Sequence, residues 1–160
     1  MRFILAAVGR LKDGPERDLY ARYAERIEAA GRGLALGPLR LVEIPESRAG
    51  SAAQRKVEEA ERLIKAAAGA EARVVLHEGG RQLASTAFAK ELATRRDAGI
   101  ETMAFLVGGP DGHGPEALAA ATLTLSLGAM TLPHGLARIV LAEQLYRATT
   151  ILSGHPYHRA

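Results

Sequence analysis

The chain has 160 residues, 48% of them apolar, enough for one well-buried core and too few for two. It contains no cysteine, which excludes disulfides, thiolate metal sites and cysteine nucleophiles. A net charge of +3, with only four lysines among 21 basic residues, leans toward an anionic partner but leaves nucleic-acid binding open.

In chain order, Arg2 is followed by Phe3-Ile4-Leu5-Ala6-Ala7-Val8, an apolar run at the short limit for a signal peptide and lacking a small-residue cleavage site. It predicts a buried first strand. Pro15 to Ala30 carries Asp18, Arg22 and Arg26 at four-residue spacing on one face, with Leu19, Tyr23 and Ile27 on the next, so a helix is expected. Gly31 to Pro38 reads as a loop and Leu39 to Ile44 as a second strand. Ser51, followed three residues later by Gln54, is a capping signature for a helix through Ala67 that turns Val57, Leu63 and Ile64 toward a core. Strands are then expected over Arg73 to His77, Thr102 to Val107 and Leu123 to Leu127, and helices over Ser85 to Ala98, Pro115 to Thr122 and Leu136 to Leu152. Short apolar runs alternating with helices predict one α/β domain over residues 1–160, a mostly parallel sheet flanked by helices. No stretch approaches the roughly 18 unbroken apolar residues of a membrane helix, so a soluble, cytoplasmic protein without membrane association is expected.

In such sheets ligands bind beyond the carboxyl ends of strands. The fourth strand runs into Gly108-Gly109-Pro110-Asp111-Gly112-His113-Gly114-Pro115, where glycines let backbone amides approach a ligand. The spacing is neither a dinucleotide fingerprint nor a P-loop. A tight turn feeding the next helix explains the same residues. Ser126 to Pro133 is apolar yet broken by glycine and proline, and its unpaired backbone groups need partners. With Leu76 to Gly80 alongside, these loops form a candidate small-molecule slot.

The end of the chain is dense in special residues: Leu132-Pro133-His134-Gly135, then Leu141-Ala142-Glu143-Gln144-Leu145-Tyr146-Arg147-Ala148, then Gly154-His155-Pro156-Tyr157-His158-Arg159. Together with Leu106-Val107-Gly108-Gly109-Pro110-Asp111-Gly112, these stretches resemble the RlmH family of small SPOUT methyltransferases, over essentially the whole length. The resemblance implies an α/β knot with a C-terminal trefoil, a homodimer with a site shared between subunits, and S-adenosylmethionine as methyl donor. It also implies methylation of N3 of pseudouridine 1915 in large-subunit (23S) ribosomal RNA on the assembled ribosome. Carried over by position, Leu76, Gly109, Gly128, Ala129, Met130, Thr131, Leu132 and Pro133 would hold the donor.

An imide N3 carries a proton that must leave before the nitrogen attacks, so a base or an anion-stabilising group is needed. His134 is the candidate base because it follows the donor loop, although a histidine at a helix start is equally read as bonded to backbone. Glu143 and Arg147 share a helix face and suit a salt bridge as well as a catalytic role. Tyr157, His158 and Arg159 are candidates for handling an extruded base, with His155 and Arg159 toward RNA. Arg17, Arg22 and Arg26 extend a candidate phosphate-binding face, diluted by Asp18 and Glu25. His77 and His113 read as loop residues, and no histidine pair or carboxylate triad suggests a metal. The rival reading is a non-enzymatic ribosome-binding or assembly factor.

Overall fold

A computed structural model describes residues 1–158. The order is β1 (Arg2–Val8), α1 (Pro15–Gly31), a 3-10 turn (Arg32–Leu34), β2 (Leu39–Ile44), α2 (Ala52–Ala66), β3 (Ala72–Gln82), α3 (Ser85–Asp97), β4 (Thr102–Val107), α4 (Pro115–Ala119), β5 (Leu123–Ser126) and α5 (His134–Leu152). All strand pairs are parallel, in the order β2-β1-β4-β3-β5. Every carboxyl end therefore opens on one edge. No helix among the described residues is long and apolar enough to cross a membrane.

The two central strands are apolar on both faces because both faces are covered. Along β1, Phe3, Leu5 and Ala7 join one core while Ile4, Ala6 and Val8 join the other, the two-residue alternation of a strand. The first core lies under α1, α3 and α5, where Phe105 meets Phe3 and Phe88 edge-on at 6.1 and 6.4 Å. The second lies under α2 and takes in Leu63 and Leu106. α2 packs on α4, whereas α5 packs on α1 and α3, so α2 and α5 sit on opposite sides of the sheet.

The structure differs from the expected elements at four places. β3 runs on to Gln82 because its register against β5 breaks: Leu76 and Arg81 both pair with Leu125, and residues 77–80 bulge out between them. Gly80 makes this possible, since a Cβ there would lie 2.7 Å from the Leu125 backbone. α4 ends at Ala119 rather than Thr122, because Thr122 Oγ1 accepts from the Arg73 amide and donates to its carbonyl, tying the chain to the sheet. α5 starts at His134, directly after Pro133. On α2, Ser51 caps the Gln54 amide at 3.2 Å as expected, but Val57 is exposed and Glu59 is buried. Glu59 takes the inward position because its Oε1 accepts from the Ser47 amide at 2.9 Å.

Candidate active site

The bulge of β3 and the carboxyl ends of β4 and β5 open into a cleft of about 740 Å³, walled by residues 76–78, 107–113 and 125–134 with Lys56 and Ala137. That volume falls among small-molecule sites. Leu76, Gly109 and the run Gly128 to Pro133 all line it, as does His134 at the first position of α5. The β3 bulge brings His77 and Glu78 to the same cleft.

Each wall is braced from behind. Ser126 Oγ accepts from the Gly128 amide and donates to the Gly128 carbonyl, closing the turn into the irregular segment. Asp111 takes a two-pronged contact from Arg55 of α2, at 2.6 and 3.2 Å, which pins the glycine loop. The pairing holds the Asp111 carboxyl below its ordinary pKa and raises that of Arg55. His113 donates from Nε2 to the Leu106 carbonyl at 3.2 Å. Burial drives its pKa down to about 4, against the pull of that carbonyl and helped by His77, so the ring is neutral at physiological pH. Gly109 is tightly backed, since a Cβ would stand 3.0 Å from both Glu59 Oε2 and Val8 Cγ1 and would require those side chains to shift. The constraint on Gly109 therefore comes from the protein behind the loop.

His134 Nε2 faces the end of β1. A side chain at Gly9, whose φ is +81°, would meet Glu46 Oε1, His134 Nε2 and an Arg138 nitrogen. Arg138, one turn after His134, is wholly buried and donates to Glu43 Oε1 and to the carbonyls of Val8 and Gly9. Burial lowers its pKa while Glu43 works to raise it. Glu43 also accepts from the Leu11 amide at 2.6 Å, so one ion pair joins β1, β2 and α5 at the site. Sequence reasoning did not single out Arg138, although a lone arginine in the apolar turn Leu136 to Ala142 is a signal. Neither Arg55 nor Lys56 was singled out: the partner of Arg55, Asp111, and the cleft walls beside Lys56 lie on distant segments.

The tail residues form a second cluster. Gly154, at φ +68°, lets His155 N bond back to the Thr150 carbonyl and turns the chain off α5. Tyr157 then folds onto α5, its hydroxyl donating to Glu143 Oε1 at 3.2 Å and its ring centroid 4.8 Å from that of Tyr146. The same oxygen accepts from Arg147 Nε at 2.9 Å, and Arg147 lies over the Tyr157 ring. Glu143 holds Arg147 charged. Burial first, then Tyr23 and Glu143, push the Tyr157 pKa up to about 12, so its hydroxyl is a hydrogen-bond donor at neutral pH and not a base.

Arg26 joins this cluster over the Tyr146 and Tyr23 rings. Arg17 instead contacts Asp13 and the Leu11 carbonyl, while Arg22 is exposed on α1. His155 is exposed and His158 half-buried, and Arg159 lies outside the described residues. At 1.5 Å per helical residue, Glu143 and Arg147 stand about 14 and about 20 Å along α5 from His134. One chain thus separates the cleft from the tail cluster. Among the described residues no group of His, Asp and Glu is placed to hold a metal ion.

The family model described as "Predicted SPOUT methyltransferase" matches residues 1–158. The chain is 50% identical to ribosomal RNA large subunit methyltransferase H of Xanthobacter autotrophicus and 54% identical to that of Rhizobium meliloti, each over 160 residues and the full length of both chains. In fold it is similar to a probable methylase family protein from Haemophilus influenzae, with a TM-score of 0.54 at 14% identity over 99% of this chain and 70% of that one. A probable methyltransferase from Bordetella pertussis gives 0.54 at 18% identity, over 92% and 95%.

Proposed function

The chain belongs to the SPOUT methyltransferase family, and from that premise we propose that it methylates large-subunit ribosomal RNA with S-adenosylmethionine as donor. The target in this reading is N3 of pseudouridine 1915 in the assembled ribosome, and the working unit is a homodimer in the cytoplasm. The fold is read as one domain whose β5–α5 crossing forms the family's trefoil knot. The observation that carries the proposal is the cleft: the β3 bulge and the two loops after β4 and β5 enclose about 740 Å³, and His134 is among its lining residues.

The donor fits this site on its chemistry. Loops rich in glycine and free of regular structure offer backbone groups to a purine edge and ribose, and their apolar side chains cover the nucleoside. S-adenosylmethionine, when bound, supplies an electrophilic methyl group on a sulfonium. The protein's work is then to align the ring nitrogen, exclude water and take up the N3 proton. His134 accepts that proton at Nε2, with Arg138 fixing the first turns of α5 behind it.

The tail cluster is too far along α5 to meet the cleft of its own chain. In a twofold dimer the partner's Glu143, Arg147 and Tyr157 complete the site. Tyr157 donates a hydrogen bond to the target base, and Arg147 meets phosphate or the base face. Arg22 and Arg26 continue this surface on α1, and the exposed His155, the half-buried His158 and Arg159, which lies outside the described residues, are assigned to RNA.

The test is transfer of labelled methyl from S-adenosylmethionine to intact ribosomes from a strain lacking the modification, with the product nucleotide mapped. Label on N3 of pseudouridine 1915, with ribosomes and not with free ribosomal RNA, is the expected result. Label elsewhere refutes the substrate, and no label with no donor binding refutes the enzyme.

A further inference from the structure

Apart from histidines, the cleft is lined by three charged side chains among the described residues: Lys56, Glu78 and Asp111. Asp111 is paired with Arg55, and Lys56 adds a weaker Coulombic pull on the same carboxylate without bonding to it. Glu78 sits exposed on the β3 bulge. Lys56 is the one lining cation, it is half-buried, and no hydrogen bond or ion pair engages its ammonium among the described residues. Its stem starts beside Gly114, where the place a Cβ would occupy is 2.8 Å from Glu116 Oε2 and 3.1 Å from Lys56 Cβ. The missing side chain leaves space there for the lysine stem, and the residue lines the cleft.

We propose that Lys56 binds the carboxylate at the amino-acid end of the methyl donor, an assignment that rests on the S-adenosylmethionine reading above. The donor carries two positive groups, the sulfonium and the ammonium, and one negative group, the carboxylate. An ammonium in the same cleft repels the first two, and only the carboxylate offsets that repulsion. The layout agrees. The irregular segment 128–133 leads into α5 on one side of the sheet, and Lys56 belongs to α2 on the other. A nucleoside held by that segment directs its amino-acid arm across the strand ends toward Lys56. The lysine then selects ligands that carry the amino-acid carboxylate over truncated thioethers.

Calorimetry on the full chain with two probes tests this: S-adenosylhomocysteine, which has the carboxylate, and 5′-methylthioadenosine, which lacks it. Lys56→Met should bind S-adenosylhomocysteine about tenfold or more weakly, the range of a charge-assisted hydrogen bond, while its affinity for 5′-methylthioadenosine stays within twofold. Lys56→Arg should keep most of the affinity. Equal losses for both probes, or no loss for either, overturn the assignment. Unchanged S-adenosylhomocysteine affinity with a shallower salt dependence of ribosome binding also overturns it and gives Lys56 to an RNA phosphate. A wild-type chain that binds neither probe defeats the donor reading itself, and Lys56 with it. Tight wild-type binding of S-adenosylhomocysteine with an unaffected variant defeats Lys56 alone.

Discussion

Glu143 accepts from Tyr157 and Arg147 through one oxygen and from Gln144 through the other, so a single carboxylate organises the tail cluster. Burial first, with Tyr23 and Glu143 adding to it, keeps Tyr157 protonated, and Glu143 keeps Arg147 charged, the states in which each serves as a donor. His113 behaves in the opposite sense. Its folded pKa of about 4 lies below the ordinary 6.5, so between these values the unfolded chain takes a proton that the folded chain refuses. Stability from this group is full above about pH 6.5 and falls as the pH drops toward 4. Urea denaturation across that window should show His113→Gln losing less stability than wild type, because the amide keeps a donor for Leu106 without titrating; parallel pH curves would contradict this. At this scale the sequence was legible where partners are near neighbours: the Glu143–Arg147 spacing announced their pair. Arg138, Glu59 and Lys56 were not legible, because what surrounds them comes from segments far away in the chain.

Among the elements, α5 does the most to place the site. It carries His134 at its start and Glu143, Gln144 and Arg147 along its length, and it is anchored to the sheet by Arg138. Replacing Arg138 by Met removes a buried cation while leaving Glu43 with only the Leu11 amide. The expected loss is about 3 kcal/mol of unfolding free energy, as when one partner of a buried ion pair is deleted. Chemical denaturation measures it, and a change under about 1 kcal/mol would mean that α5 is held chiefly by its apolar contacts with α1 and α3. The strands β1, β2, β4 and β5 were readable within a residue or two because continuous apolar runs are what a doubly covered parallel sheet demands. β3 was readable only to its bulge. Whether His77 to Gly80 ends the strand or loops out is decided by the backbone of β5, and the sole trace in the sequence is a glycine, Gly80, that admits several explanations. Val57 and Glu59 show the same limit: the helix was legible, but its rotation was set by a hydrogen bond to Ser47.

Across the whole molecule, one edge of the sheet gathers the cleft, while the tail cluster lies about 14 to 20 Å away along α5. The loops at the strand ends were legible as a candidate slot from glycine and proline placement, because binding at the carboxyl edge follows from the parallel topology. The separation of cleft and tail was not, since it depends on the Gly154 turn that folds Tyr157 back along α5 rather than toward His134. This separation is the observation behind the proposal that the site is built from two copies of the chain. The most direct measurement pairs two inactive chains: one carrying His134→Ala in the cleft, the other Tyr157→Ala in the tail, co-expressed with different tags and purified as the mixed dimer. Each homodimer should fail to methylate ribosomes. The mixed dimer holds one intact cleft facing one intact tail and should recover about half of the wild-type rate, one site of two. A mixed dimer as inactive as its parents would place cleft and tail in the same chain and contradict the account.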